Sequence, residues 1–284
     1  MKQTYFCPAK INLFLEVGEK RPDGYHDIDS VMQAITLCDR VSVTLTEGTG
    51  GIRLTCDPPA LPTDSRNIAY RAAERYLAKA GITRYDVAIE IEKQIPLAAG
   101  LAGGSADCAG VLRCLQSLLS ALSEEELYDL GKSLGADVPF CLRSGCCRTE
   151  GIGEVLTPLS PLSRDAILVI AKGGEGISTA EAYRQMDLPR TRQSSAPILR
   201  ALERGESGEV AALLYNSFEG VILPIHKEAS YAKEVMIAEG SAGALMSGSG
   251  PSVFGIFFDW DDANRAHERL LEKGYASFLA SPVV

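Results

Sequence analysis

Residues 95–107 read Ile-Pro-Leu-Ala-Ala-Gly-Leu-Ala-Gly-Gly-Ser-Ala-Asp, after an alternating apolar run at 87–91 and before a helical pattern that begins near Ser105. Strand, glycine-rich loop and helix in that order constrain the fold more than any other stretch of the chain. Gly100, Gly103 and Gly104 let backbone N–H groups approach a ligand closely, and the helix start adds the positive end of its dipole. The stretch reads as an anion cradle suited to nucleotide phosphates. A tight turn packed by small residues is the plainer alternative, and the loop alone does not choose between them.

The rest of the chain narrows the choice. With 284 residues, 46% apolar and 23% charged, it is long enough for one large globular domain or two ordinary ones. A net charge of −9 argues against a broad nucleic-acid-binding face but leaves room for a local basic pocket. Residues 1–4 run straight into a strand pattern with no targeting segment. The longest aliphatic run, 166–171, is too short to span a bilayer, so a cytoplasmic location and no membrane partner are expected. The cysteines at 7, 38, 56, 108, 114, 141, 146 and 147 form no Cys-x-x-Cys pair and have no histidine at ligand spacing, so reduced structural thiols are expected. Adjacent Cys146-Cys147 is the one oddity.

In the first half, residues 4–7 and 11–17 read as strands around Pro8-Ala9-Lys10, followed by a turn at 21–26. Strands at 30–37 and 40–46 meet at the polar pair Cys38-Asp39, and residues 52–56 are expected to pair beyond a hairpin-like turn at 48–51. Helices are expected at 67–80, stopped by Gly81, and at 106–122. A capping box at Ser123–Glu126 opens a third, ending near Leu134-Gly135 and leaving Asp137 on a loop. Composition changes around 158–161, which places a domain boundary there, giving 1–160 and 161–284. Beyond it come a strand at 166–171, a capping box at Ser178–Glu181 with a helix to Met186, and helical patterns at 197–214 and 226–239. Strands at 244–246 and 253–258 flank Ser247-Gly248-Ser249-Gly250-Pro251, before a helix at 261–273 and a strand at 276–279. This half reads as an α+β sandwich. His226 and His267 fall in helical patterns and are expected to face solvent.

Three separated motifs then coincide with one family. Pro96-x-x-x-Gly100-Leu101-Ala102-Gly103-Gly104-Ser105 resembles the phosphate loop of the GHMP small-molecule kinases. Pro8-Ala9-Lys10-Ile11-Asn12 and Ser247-Gly248-Ser249-Gly250-Pro251 resemble the family's other two motifs, in the family's order. No Gly-Lys-Ser/Thr follows, so this is not a Walker A loop. Arg21-Pro22-Asp23-Gly24-Tyr25-His26, Leu134-Gly135-Ala136-Asp137-Val138-Pro139-Phe140 and Ser178-Thr179-Ala180 resemble the branch that acts on 4-diphosphocytidyl-2-C-methyl-D-erythritol, in the non-mevalonate route to isoprenoid precursors. The likeness runs from residue 5 to about 258.

The resemblance implies an α+β two-domain GHMP kinase fold, with an N-terminal domain like ribosomal protein S5 domain 2 and a ferredoxin-like C-terminal sandwich. It implies transfer of the γ-phosphoryl of ATP to the substrate's 2-hydroxyl, with ATP and Mg²⁺ as cofactors, in a monomer or homodimer. A kinase for another small alcohol and a catalytically silent nucleotide-binding relative are the alternatives.

The resemblance also implies roles for single residues. Asp137 becomes the base and Lys10 the stabiliser of the developing alkoxide, although by themselves they read as a turn aspartate and a solvent-exposed strand-end lysine. Asn12, on the same strand face as Lys10, is placed to bond the substrate's polyol part. Tyr25 and His26 match the cytidine-binding pair, one to stack and one to read the base edge. Thr179 and Tyr183, four apart on one helix, match positions near the substrate, with Tyr183 as a second wall for the cytosine or else a core tyrosine. Pro96, Leu97, Ala98, Ala99, Gly100, Leu101, Ala102, Gly103, Gly104, Ser105 and Ala106 form the nucleotide loop, with Ser105 as a Mg²⁺ ligand. Many relatives carry glycine at 102 and serine at 106. The methyl of Ala102 predicts ordinary backbone angles there, and Ala106 lacks a hydroxyl that could meet a phosphate. Cys146-Cys147-Arg148 also departs from the small, glycine-rich stretch usual in the family.

Overall fold

The computed structural model describes residues 1–284 apart from 23, 60, 177 and 187–191, and apart from the side chains of 179 and 180. By their contacts the described residues form two compact units that interleave along the chain. One is Met1–Ala9, Cys38–Ile95 and Ala102–Arg143; the other is Lys10–Leu37, Pro96–Leu101 and Ser144–Val284. Two long strands, β1 (Lys2–Lys20) and β2 (His26–Glu47), have residues in both. The sequence predicts a break in each, at Pro8 and at Cys38-Asp39, but both strands run through. Proline holds φ within the extended range and lacks only a donor, so it need not end a strand. Asp39 continues β2 because it is fully buried with its carboxylate satisfied from elsewhere in the fold.

In the first unit, β3 (Ile52–Asp57) does not form the expected hairpin with β2. Instead β4 (Tyr85–Glu92) lies between them, antiparallel to β2 with Val43 opposite Ile89, and parallel to β3 with Leu54 opposite Ile89. The Asp86 carboxylate explains the detour. It accepts the N–H groups of Thr49, Gly50 and Gly51 at 3.0, 3.1 and 2.8 Å, so the 48–51 turn wraps the end of β4 and carries the chain past it. Val87, Ile89 and Ile91 alternate with exposed Glu90 and Glu92, and each buried branched side chain contributes about 1.5–3 kcal/mol.

Four helices complete this unit. The Asn67 side chain caps α1 (Ile68–Ala80), and Gly81 closes it at φ 66°. Next comes α2 (Gly103–Leu119), where a Cβ on Gly110 would lie 2.3 Å from the Cys7 sulfur, so only glycine lets the helix seat this closely. The predicted reciprocal capping box between Ser123 and Glu126 opens α3 (Glu124–Leu134). The sequence reading has no counterpart for α4 (Val138–Arg143), whose six residues are too few to show a helical period.

In the second unit, the hairpin of β5 (Cys146–Gly151) and β6 (Val155–Leu159) adds to β2, with Thr149 opposite Ser30. Neighbouring Cys146 and Cys147 lie on one strand, whose successive side chains point to opposite faces, so they cannot meet as a disulfide. Both are buried thiols, and burial pushes the pKa of Cys146 up. The chain continues through β7 (Ile167–Lys172), α5 (Thr179–Gln185), α6 (Ala196–Glu203), α7 (Ser207–Ala212), β8 (Tyr215–Asn216), α8 (Glu219–Ile222), α9 (Lys227–Ala238), β9 (Gly243–Met246), β10 (Val253–Phe257), α10 (Trp260–Glu272) and β11 (Ala276–Ala280), of which β7, β9, β10 and β11 form an antiparallel sheet. Its strand order is β11-β7-β10-β9, while β8 pairs parallel with β1.

Met236 of α9 and Leu270 of α10 pack with Val169 and Phe257 over one face of that sheet. Leu168 and Ile170, on the opposite face, are buried as well, which is why residues 166–171 read as an unbroken apolar run. His226 and His267 depart from the solvent-facing expectation. His226 accepts the Ala229 N–H as the cap of α9, and the His267 ring meets Ser277 at 2.8 Å. No helix among the described residues is long and apolar enough to cross a membrane.

Candidate active site

The glycine-rich loop turns three times at alternating positions. Ala98, Gly100 and Ala102 all have positive φ, at 49°, 74° and 57°. The methyl of Ala102 predicts ordinary angles, but its φ of 57° and ψ of 28° are left-handed. A left-handed alanine costs about 1–2 kcal/mol, so its neighbours must hold it. The Leu101 carbonyl accepts the Lys10 N–H at 3.2 Å, and the Ala102 carbonyl accepts the Ala106 N–H at 2.9 Å, fixing the peptide on either side. Alternating left-handed corners aim backbone N–H groups into a concave seat for an anion.

That Ala106 bond is where the hydrogen-bond ladder of α2 begins, and Ala102 offers no side-chain cap. The N–H groups of Gly103, Gly104 and Ser105 therefore stand at the positive end of a 17-residue helix without intrahelical acceptors. Ser105 is half-buried, and its hydroxyl makes no hydrogen bond among the described residues. The Ala106 N–H is used inside the helix and its methyl is buried.

Behind Gly103 lies a buried charge cluster that the sequence reading does not contain. The Lys93 ammonium bonds the Asp39 carboxylate and, at 2.7 Å, that of Asp107. A Cβ on Gly103 would sit 3.2 Å from the same ammonium. Asp39 also accepts the N–H groups of Gln94 and Ile95 at 2.6 and 2.8 Å, tying β2 to the residues that lead into the loop. Asp107 keeps one buried oxygen without a partner. Burial pushes its carboxyl up to about 7, with Lys93 opposing and Asp39 adding to the rise. The one signal available beforehand was a lysine closing an alternating strand directly before the loop.

Lys10 is buried, against its unaided reading as an exposed strand-end lysine. Its ammonium donates to the Asn12 side-chain oxygen at 2.7 Å and to the Gly100 carbonyl at 2.9 Å. Asn12 lies on the same face, as strand periodicity predicts, but it is buried, and its amide nitrogen donates to Ser30 at 2.8 Å. Ser30 in turn donates to the Phe14 carbonyl at 2.6 Å. Asn12 thus spends its oxygen on Lys10 and one of its two donors on Ser30.

The turn before β2 is closed by the Gly24 N–H donating to the Arg21 carbonyl at 3.0 Å, with Gly24 at φ 90°. Tyr25 is exposed. His26 stacks on Tyr183 with centroids 4.7 Å apart and planes 14° from parallel, and Tyr183 meets Phe218 edge-on at 5.0 Å. Tyr183 thus packs edge-on against a core phenylalanine, as its core reading expects, while its face stacks on His26. Burial, and then Lys20, lower the His26 pKa, which favours the neutral ring with one donor and one acceptor. Thr179 is the first residue of α5, and its side chain lies outside the described ones.

Asp137 follows α3 and directly precedes α4, where its carbonyl accepts the Cys141 N–H at 3.0 Å. It is half-buried, and among the described residues its carboxylate has no hydrogen-bond or ion-pair partner. A carboxylate held on rigid backbone with its oxygens uncommitted can accept a proton from a bound hydroxyl.

Comparison with known proteins adds a second line. Residues 67–145 match the model of the GHMP kinases N terminal domain, and residues 198–276 that of the GHMP kinases C terminal. The chain is 41% identical to the 4-diphosphocytidyl-2-C-methyl-D-erythritol kinase of Clostridium botulinum (strain Eklund 17B / Type B) over 282 residues, covering 97% of this chain and 98% of that one. A crystal structure of a 4-(cytidine 5'-diphospho)-2C-methyl-D-erythritol kinase superposes with a TM-score of 0.79 at 36% identity, covering 98% of this chain and 99% of that one. The homoserine kinase of Cytophaga hutchinsonii shares the fold, with a TM-score of 0.78 at 20% identity, covering 99% of this chain and 95% of that one.

Proposed function

This chain belongs to the 4-diphosphocytidyl-2-C-methyl-D-erythritol kinases of the GHMP kinase family, and from that membership we propose how its residues move a phosphoryl group from ATP to the substrate's 2-hydroxyl. The observation that carries the reading is the buried Lys10 ammonium, bound 2.9 Å from a carbonyl of the phosphate loop. A protein that only bound nucleotide would have no use for a lysine held there.

The loop N–H groups from Gly100 to Ser105 receive the β- and γ-phosphates. Asp137 takes the proton of the attacking hydroxyl, and Lys10 stabilises the alkoxide as it forms. Asn12 keeps Lys10 aimed. His26 reads the edge of the cytosine with its neutral ring, while Tyr25 and Tyr183 supply faces against which the base packs; Thr179 lies near the substrate. We place the domain boundary near residue 160, with one family-model match on either side.

Mg²⁺ fits the residues present as an ion carried by the nucleotide. Among the described residues no group of three or more His, Cys, Asp or Glu could cage it, whereas the Ser105 hydroxyl stands uncommitted at the start of α2. When bound, the ion neutralises phosphate charge, and Ser105 would hold it.

The test is ADP release by the purified protein with ATP, Mg²⁺ and a panel of alcohols. Turnover with 4-diphosphocytidyl-2-C-methyl-D-erythritol is expected. Turnover only with homoserine or phosphomevalonate would overturn the substrate, and tight ATP binding with no turnover on any alcohol would favour a silent relative.

A further inference from the structure

We propose that Asn216 and Glu219 are positioning residues for Lys10, acting through the glycine loop at 247–250. Neither belongs to a motif that the family resemblance covers. β8 sets Asn216 beside β1, with Leu15 as its parallel partner. Asn216 is buried, and its amide is used at both ends. The nitrogen donates to the carbonyls of Met246 and Gly248 at 2.7 and 2.8 Å, and the oxygen accepts the Phe218 N–H at 2.9 Å. Glu219, which opens α8, accepts the Met246 N–H at 2.9 Å and pairs with Lys233 at 2.6 Å.

Met246 ends β9, the edge strand of its sheet. Edge backbone groups have no strand to bond, so side chains must satisfy them if they are buried. Asn216 and Glu219 do this for both polar groups of Met246, and Asn216 also grips the loop two residues on.

The loop held this way reaches the phosphate loop directly. The Ser247 hydroxyl donates to the Gly100 carbonyl at 3.1 Å, and the Ser252 N–H donates to the Ala99 carbonyl at 3.3 Å. A Cβ on Gly100 would lie 2.1 Å from the Ser247 carbonyl oxygen, and one on Gly248 would lie 3.1 Å from the Lys10 ammonium, so the approach leaves no slack. The Gly100 carbonyl that receives Ser247 is also the acceptor for Lys10. A shift in β9 or its loop therefore moves the atom that orients the ammonium. A misplacement of about 1 Å from a remote change is enough to cost about 10²-fold in rate.

The inference rests on the proposed function only in taking Lys10 as catalytic, and a double-mutant cycle tests it on the full chain. Asn216→Asp keeps the size and the acceptor for Phe218 but loses both donations. In the wild-type background it should lower kcat about 100-fold, with KM for ATP and alcohol within about threefold. In a Lys10→Met background the same change should cost less than about threefold, because the group it positions is gone. Equal losses in both backgrounds, or a loss confined to KM, would overturn the proposal. Glu219→Gln keeps an oxygen for Met246 and should recover most of the activity lost in Glu219→Ala. Should Asn216→Asp not fold, Ser247→Ala carries the same cycle. If the wild type prefers another alcohol, the substrate reading fails but the cycle runs unchanged on that alcohol. Hydrogen exchange reads the linkage without turnover: Asn216→Asp should speed exchange in both 247–252 and 98–102, and no change in 98–102 would also overturn it.

Discussion

Lys10 is buried and the Lys93 side chain is buried too, yet the oxygens around their ammonium groups differ in kind. Lys93 lies between the carboxylates of Asp39 and Asp107, whereas Lys10 donates to an amide oxygen and a backbone carbonyl. Carboxylates absorb a charge as well as a direction; neutral oxygens give direction alone. The first arrangement fastens strands and helix together, and the second fits the proposed role of a cation aimed at a substrate oxygen. Burial of a lysine therefore does not reveal its task, but the nature of its acceptors does.

Five substitutions would break or sharpen that contrast. The largest effect belongs to the chemistry: Asp137→Ala or Lys10→Met should lower kcat by about 10²–10⁴-fold, with ATP affinity nearly unchanged in equilibrium titration. If Lys10→Met instead unfolds the protein as readily as a change at Lys93, the two lysines do the same job. Lys93→Met leaves two buried carboxylates facing each other and should cost about 3–5 kcal/mol in urea denaturation. A loss under about 1 kcal/mol there would show that Lys93 is not fastening the fold.

Asn12→Asp turns one neutral acceptor of Lys10 into a carboxylate. The lysine's charge then being partly cancelled, kcat should fall about tenfold, roughly 1.4 kcal/mol of barrier, while the melting temperature holds. Unchanged turnover would mean that the neutrality of that acceptor is immaterial.

The smallest effect is a slope. Asp107 titrates at about 7 when folded, well above the unfolded carboxyl near 4, so the folded state holds the extra proton between those values. That group therefore makes the protein less stable as pH rises through this window, and fully so above about 7. Measured from pH 5 to 8, wild type should lose stability relative to Asp107→Asn. A flat difference would contradict the assignment.

What the sequence made legible follows from what it can encode locally. Lys10 and Asn12 share a face because strand periodicity is two, and the caps at Asn67, Ser123 and Gly81 sit where their side chains or lack of one dictate. Asp39 was not legible. It reads as a polar joint between strands because its partner, Lys93, lies 54 residues away and meets it only through the β2–β4 register. Asn216 was hidden for a similar reason: β8 is two residues long, too short for any period, and its acceptors lie 30 and 32 residues on. Ala102 failed in the other direction. Its intrinsic preference was clear, and the bonds on either side of it overrode that preference.

In the proposed phosphate-seating role of the loop, Ala98 and Ala102 have a consequence for the timing of nucleotide capture. Glycine at either corner would let the free loop wander among several conformers and settle only around a bound phosphate. Alanine narrows that wandering, so the shape of the seat is chosen when the chain folds rather than when the ligand arrives. The empty loop should then already resemble the filled one, and nucleotide exchange should proceed as docking into a mould rather than the gathering of a loose strap.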